Sequence, residues 1–273
     1  MRVPGLLASV ILTFLAMIDS RSVSATSHLV NAEGSGDYPT IQAAIDASAS
    51  GDTVALVQGV FTGSGNRDVL FRGKAIVVRS LDGDPDLCTV DAQGTANDQH
   101  RGFLFVGSEG PSSVLEEITI RGGFWRNNND DHDQGGGILC GPNSAPTIRN
   151  CVFAANRSIM GAGLLVGAGS HPSIQGCRFE GNQASGSGGA IGCDFYNRPA
   201  RFIIRNCSFA NNIANGYAGV ITIYSRTDIT DCIFTNNHGA YGGVFYVCEG
   251  GRGYFDRCTF IGNDSDMGGA GLT

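Results

Sequence analysis

The chain has 273 residues, a formal charge of −7, only 16% charged side chains, and 41 glycines against 8 prolines. An acidic chain without a basic cluster argues against nucleic acid as a partner, and against holding an anionic polymer by bulk charge. Glycine this frequent but without an every-third-residue period excludes collagen and points to many tight turns between short strands.

Residues 1–25 read as a secretory signal peptide. Arg2 is the charged start, Leu6 to Ile18 is apolar, and Val23-Ser24-Ala25 offers the small residues a signal peptidase cuts after. The run is short for a bilayer span, and no later segment is apolar enough to serve as one. The expected product, residues 26–273, is exported to the extracellular space or the cell surface and is not an integral membrane protein.

Ile41, Ala44 and Ile45 recur at helical spacing between Pro39-Thr40, a reasonable start, and Gly51, a reasonable stop. A short amphipathic helix is therefore expected near residues 39–50. Strands are expected at 53–57, 75–80, 88–90, 103–106 and 114–120, with the longest loops around 92–101 and 122–135. Asp82, Asp84 and Asp86 alternate in a Gly- and Pro-containing stretch that suits a turn better than an EF-hand loop, which would need a later Gly and Glu.

The loop from Phe124 to Asp133 concentrates the side chains that carry chemistry. It holds Phe124, Trp125 (the single Trp), Arg126, Asp130, Asp131, His132 and Asp133. Phe124 and Trp125 can stack on sugar rings, and the carboxylates could hold Ca²⁺. Asp130, Asp131, His132, Asp133 and Arg126 are the candidate catalytic set. The bland alternative, a solvated polar loop whose aromatics pack on the wall, is the favoured one. The other histidines, His28, His100, His171 and His238, are scattered and read as surface residues.

From residue 135 onward the sequence repeats, and that decides the fold. Cys-x-Phe-x-x-Asn occurs five times, at gaps of 26, 30, 25 and 26 residues. Cys151, Cys177, Cys207, Cys232 and Cys258 open the pattern. Phe153, Phe179, Phe209, Phe234 and Phe260 take the third place, and Asn156, Asn182, Asn212, Asn237 and Asn263 the sixth. A small-residue pair and an apolar residue follow each Asn, as in Gly188-Gly189-Ala190-Ile191. Cys and Phe, two apart, share one face of a strand. A unit this short cannot bury both faces of its strands, so copies must stack, each strand pairing with its equivalent about 4.8 Å away.

The expected fold is all-β: a right-handed single-stranded parallel β-helix, or solenoid, with a short N-terminal capping helix. In it the recurring Asn suits a left-handed turn and can hydrogen-bond along the stack, while the Gly pairs let the chain bend. The nine Cys read as buried apolar fillers rather than disulfides, because neighbouring Cβ vectors in a ladder point the wrong way and nine is odd. No CxxC pair or interleaved His suggests zinc.

The insertion at 194–201 explains the 30-residue gap and should project from the wall, near Tyr196, Tyr217, Tyr224 and Tyr241, as a recognition surface. The helix would cover one end of the solenoid. The sequence stops mid-repeat at the other, so more chain or a partner is expected beyond residue 273.

Gly34 to Asp46, with its Gly-Ser-Gly-Asp-Tyr-Pro-Thr-Ile-Gln-Ala-Ala-Ile-Asp run, resembles the start of many pectin-lyase-like β-helix proteins. Phe179-Glu180-Gly181-Asn182 with Gly188-Gly189-Ala190-Ile191 resembles the repeat of chlamydial polymorphic outer-membrane proteins. The resemblance implies a right-handed parallel β-helix over most of residues 34–273. Its enzymes need paired Asp, Ca²⁺ ligands or an Arg base, and no convincing copy of their later motifs is present. The expectation is a non-catalytic, adhesin-like module that binds a polysaccharide or cell-surface glycan, with no resident cofactor. The alternative is a polysaccharide lyase or hydrolase with Ca²⁺ in a lateral groove near residues 122–135.

Overall fold

The computed structural model describes residues 24–126, 134–193, 200–224, 226–248 and 250–271. Residues 1–23, most of the expected signal peptide, lie outside the described residues. The chain winds into four parallel sheets of nine, eight, seven and six strands, in which every strand pairs with its equivalent one winding away. A full winding visits them in the order nine, eight, six, seven. Thr147–Arg149, Val152–Ala154, Arg157–Met160 and Leu164–Val166 form one such circuit. The six-stranded sheet begins only at Phe124–Trp125, so the earlier windings have three sides.

The repeat supplies the core. Phe153, Phe179, Phe209 and Phe234 are wholly buried. Their rings stack at centroid separations of 4.4, 4.9 and 4.9 Å, and Phe260 adds a further ring at 5.1 Å. Register is fixed by the pattern itself, since Phe153 pairs with Phe179, Phe179 with Phe209 and Phe209 with Phe234. A slip of one residue would turn this entire row outward.

The Cys of each repeat sits at the corner ahead of its Phe and also points inward. Cys151, Cys177, Cys207 and Cys232 are buried, and all nine cysteines are free thiols. Cys177 Sγ donates to the Gln175 carbonyl at 3.3 Å, so the thiol occupies a carbonyl at the corner besides filling space. Cys140 and Cys193 do share one row, but Val166 lies between them.

Three expectations about local structure are corrected. The ladder Asn are not the left-handed residues. Positive φ falls on the residue just before each one: Ala155, Gly181, Asn211, Asn236 and Gly262, at 52–63°. The Asn is kept for its side chain, because Asn156, Asn182, Asn212 and Asn237 form a buried hydrogen-bonded column. The strand expected at 114–120 is two strands, Val114–Glu116 and Thr119–Arg121, broken at Glu117, whose φ of 59° turns a corner. The second Gly of the small-residue pair does not serve bending. Gly219 has no left-handed φ, but a Cβ there would overlap the Gly243 carbonyl of the next winding, so the position needs a residue without one.

Helix Ile41–Ala47 closes one end. The Thr40 hydroxyl accepts from the Ala43 N–H at 3.2 Å as N-cap, and Ile41, Ala44 and Ile45 are buried on the first windings. No helix among the described residues is long and apolar enough to cross a membrane.

Candidate functional site: a lateral groove on the six-stranded sheet

Strands alternate their side chains, so one row of the six-stranded sheet faces outward. Read across the windings, that row is Phe124, Arg157, Gln183, Ile213, His238 and Asp264. All but Phe124, which follows Gly123, stand immediately after a ladder Asn, and they inherit their alignment from the buried column beneath.

Phe124, Arg126, Arg157, Gln183, Ser185 and Asn215 line a groove of about 360 Å³ along this face. A second hollow continues it past Phe124, between residues 94–96 and Gly122-Gly123. Arg126 and Arg157 are exposed, and neither has an ion-pair partner among the described residues. Among the described residues lining the groove there is no carboxylate.

The groove's first wall is held by His100. Its backbone exchanges two hydrogen bonds with Phe124, at 3.0 and 2.8 Å. Its ring lies between Asp68 Oδ2 at 2.6 Å and Asp98 Oδ1 at 2.9 Å. This histidine, read from sequence as a surface residue, anchors the aromatic wall.

Of the expected site residues, Phe124 and Arg126 come together in the groove. Trp125 takes the alternate direction on the same strand, in the row of Ser158, Ala184 and Ala214. The Arg101 guanidinium covers its ring at 3.7 Å from the centroid, a cation–π contact, and its Nε1 is buried without a hydrogen-bond partner. Asp130, Asp131, His132 and Asp133 lie outside the described residues, as does Tyr196 with most of the insertion at 194–201. Tyr217, Tyr241 and Tyr246 cluster with centroids 4.6–6.5 Å apart, and none of the three lines the groove.

Sequence reasoning missed Arg157, Gln183, Ser185 and Asn215. Their signal was available in the spacing: they stand one or three places after a ladder Asn. Asp82, Asp84 and Asp86 form the expected turn, with Asp84 Oδ1 accepting the Asp86 N–H at 2.9 Å. No group of three or more His, Cys, Asp or Glu disposed for a metal occurs among the described residues.

The thiols are chemically quiet. Burial pushes Cys88 up to about 12 and raises Cys140, Cys177 and Cys207 well beyond the usual thiol range. Buried neutral thiols of this kind are neither nucleophiles nor ready metal ligands.

Stacked windings in which every strand pairs in parallel with its equivalent define a parallel β-helix. The profile of the family described as right handed beta helix region matches residues 66–216, more than half of the chain, and the chain belongs to that family. A structural relative is the crystal structure of the pectin methylesterase from Aspergillus niger in deglycosylated form. It is 12% identical, with 88% of each chain covered and a TM-score of 0.40. No curated protein matches the chain by sequence.

Proposed function

We propose that the protein is an exported β-helix module that binds a glycan in the lateral groove without cleaving it. The observation that carries the reading is the groove's composition. A ring at Phe124, guanidiniums at Arg126 and Arg157, and the Gln183 and Asn215 amides face one channel. An aromatic face and fixed forked donors suit sugar rings and their oxygens. The signal-like residues 1–25 and the likeness of the Phe-x-x-Asn, Gly-Gly-Ala-Ile repeat to chlamydial surface proteins support a role outside the cell.

A polysaccharide array probed with the protein, with and without Ca²⁺, tests this. Retention of at least one polymer, weakened about tenfold or more by Phe124→Ala and Arg157→Ala, is the expected result. Release of reducing or unsaturated ends would replace the reading with the lyase or hydrolase one. Binding indifferent to both substitutions, or none at all, would overturn the groove as a glycan site.

A further inference from the structure

The corner between the six- and seven-stranded sheets carries a row of residues that the repeat does not fix. Read winding by winding, the row is Met160, Ser187, Tyr217 and Tyr241. Met160 and Ser187 are buried, at 8% and 6% exposure, whereas Tyr217 is 43% and Tyr241 41% exposed. A serine makes this turn as well as a tyrosine does, so the corner itself does not call for a ring. Both rings lie within the stack. Tyr217 stands between the windings of Ser187 and Tyr241, and the winding beyond Tyr241 is tied on by the Met267 N–H, which donates to the Ala240 carbonyl at 2.9 Å. Apolar side chains exposed singly need no explanation, but rings gathered on adjacent windings mark a contact surface.

The rings form a shelf. Tyr217 and Tyr241 lie 5.5 Å apart between centroids, with their planes 28° from parallel. Tyr246, on strand Phe245–Val247, braces both, at 4.6 Å from Tyr217 and 6.5 Å from Tyr241. Tyr217 follows Asn215, a lining residue of the lateral groove, by two positions, about 7 Å of chain at most. The shelf therefore adjoins the Asn215 end of the groove.

Such a shelf suits a pyranose. The C–H face of a sugar packs on a phenol ring, and the phenol hydroxyl can exchange hydrogen bonds with sugar hydroxyls. A peptide is served less well, because the corner backbone is already paired, Ala218 with Gly242, and offers no strand edge for addition.

We propose that Tyr217 and Tyr241 form a second sugar-stacking subsite that carries the glycan site of the lateral groove around the corner. The inference rests on the groove reading and adds a length requirement to it. Phe124 and Tyr241 are four windings apart, about 19 Å along the axis, which a disaccharide does not span. The protein therefore selects extended chains over short ones.

Calorimetric titration of the full chain with size-graded oligomers of cellulose and of polygalacturonate, from dimers to octamers, tests this. Affinity should rise about tenfold or more from dimer to octamer in a series that binds. Tyr217→Ala combined with Tyr241→Ala should abolish that rise and leave the dimer unaffected, whereas Arg157→Ala should weaken both lengths. Tyr217→Phe with Tyr241→Phe, which keeps the rings, should keep the rise. Circular dichroism confirms that the variants fold. Octamer binding that Arg157→Ala weakens and the alanine pair leaves intact would overturn the subsite while the groove stands. Binding that the alanine pair abolishes and Arg157→Ala leaves intact would overturn the groove reading, and with it the shelf as its extension. Binding of neither series would overturn the subsite.

Discussion

The Oδ1 atom of Asn182 accepts two hydrogen bonds from Asn156, one from its backbone N–H at 3.1 Å and one from its Nδ2–H at 3.0 Å. Asn182 in turn donates to the Phe153 carbonyl at 2.9 Å and to Asn212 Oδ1, also at 2.9 Å. Each buried carboxamide is thus both a clip across its own corner and a link to its neighbour, and no other side chain of this size both donates and accepts so.

Asn212→Leu removes one link from the middle of the column. The N–H and Nδ2–H of Asn182 lose their acceptor while still buried, and the Phe179 carbonyl loses its donor. At about 1–3 kcal/mol per stranded group, the variant should lose about 3–5 kcal/mol. Asn212→Asp keeps an acceptor but sets a carboxylate against Asn237 Oδ1, and should fare no better. Urea denaturation measures both, and a loss below about 1 kcal/mol would mean the column contributes little.

Phe209 is buried between Phe179 and Phe234, at 4.9 Å from each. Phe209→Ala should cost about 3–5 kcal/mol. Phe260→Ala, at a ring 44% exposed, should cost about half that or less. The comparison of thermal midpoints is the check, and equal shifts would contradict the burial gradient toward that end.

Thiol chemistry gives a pH prediction. Because burial raises the Cys88, Cys140, Cys177 and Cys207 thiols above their unfolded values, the folded state retains protons that the unfolded chain gives up. Their contribution is present in full below the ordinary thiol value of about 8.5 and is lost as pH climbs toward 12. Denaturation midpoints should fall between pH 8 and pH 10.5. Native protein at pH 8 should leave the seven buried cysteines unalkylated by iodoacetamide, and all nine should react in urea.

Asp52 ties down the first strand. Its carboxylate accepts from the Thr26 and Ala49 N–H groups at 2.8 Å each, with His28 Nε2 at 3.2 Å. The two backbone bonds lower its pKa, so its contribution is present above the unfolded carboxylate value of about 3.9 and is lost as pH falls below it. Asp52→Ala should raise hydrogen-exchange rates across Ser27–Val30 at neutral pH while leaving Val152–Ala154 unchanged. Uniform deprotection would show that the strand is not separately anchored.

The architecture was legible because a Cys-x-Phe-x-x-Asn spacing fixes strand, corner and register together. It faded where other residues do the same work. In the winding before Cys151, Ile118 stands in the Cys place, Ile120 pairs with Phe153, and Gly123 donates to Asn156 Oδ1 at 2.9 Å in place of an Asn. Apolar volume is what the core requires, so Ile serves where identity-based matching looks for Cys or Phe. The short strands Gly59–Phe61 and Val69–Leu70 were not anticipated for a similar reason: two or three residues show no period. The groove was half legible. Phe124 and Arg126 stood out as neighbours in sequence, but Arg157, Gln183 and Asn215 join them only through stacking across windings, which no local window displays.

The parallel ladders also set how the molecule carries load. Its interstrand hydrogen bonds run along the solenoid axis, while the covalent backbone runs around the circumference. Tension between the two ends therefore opens bonds one winding at a time, as a zipper parts. A force across the girth instead meets the peptide chain itself. A rod of this kind is compliant lengthwise and stiff in cross-section, so stretching it should leave the spacing of side chains within any intact winding almost unaltered.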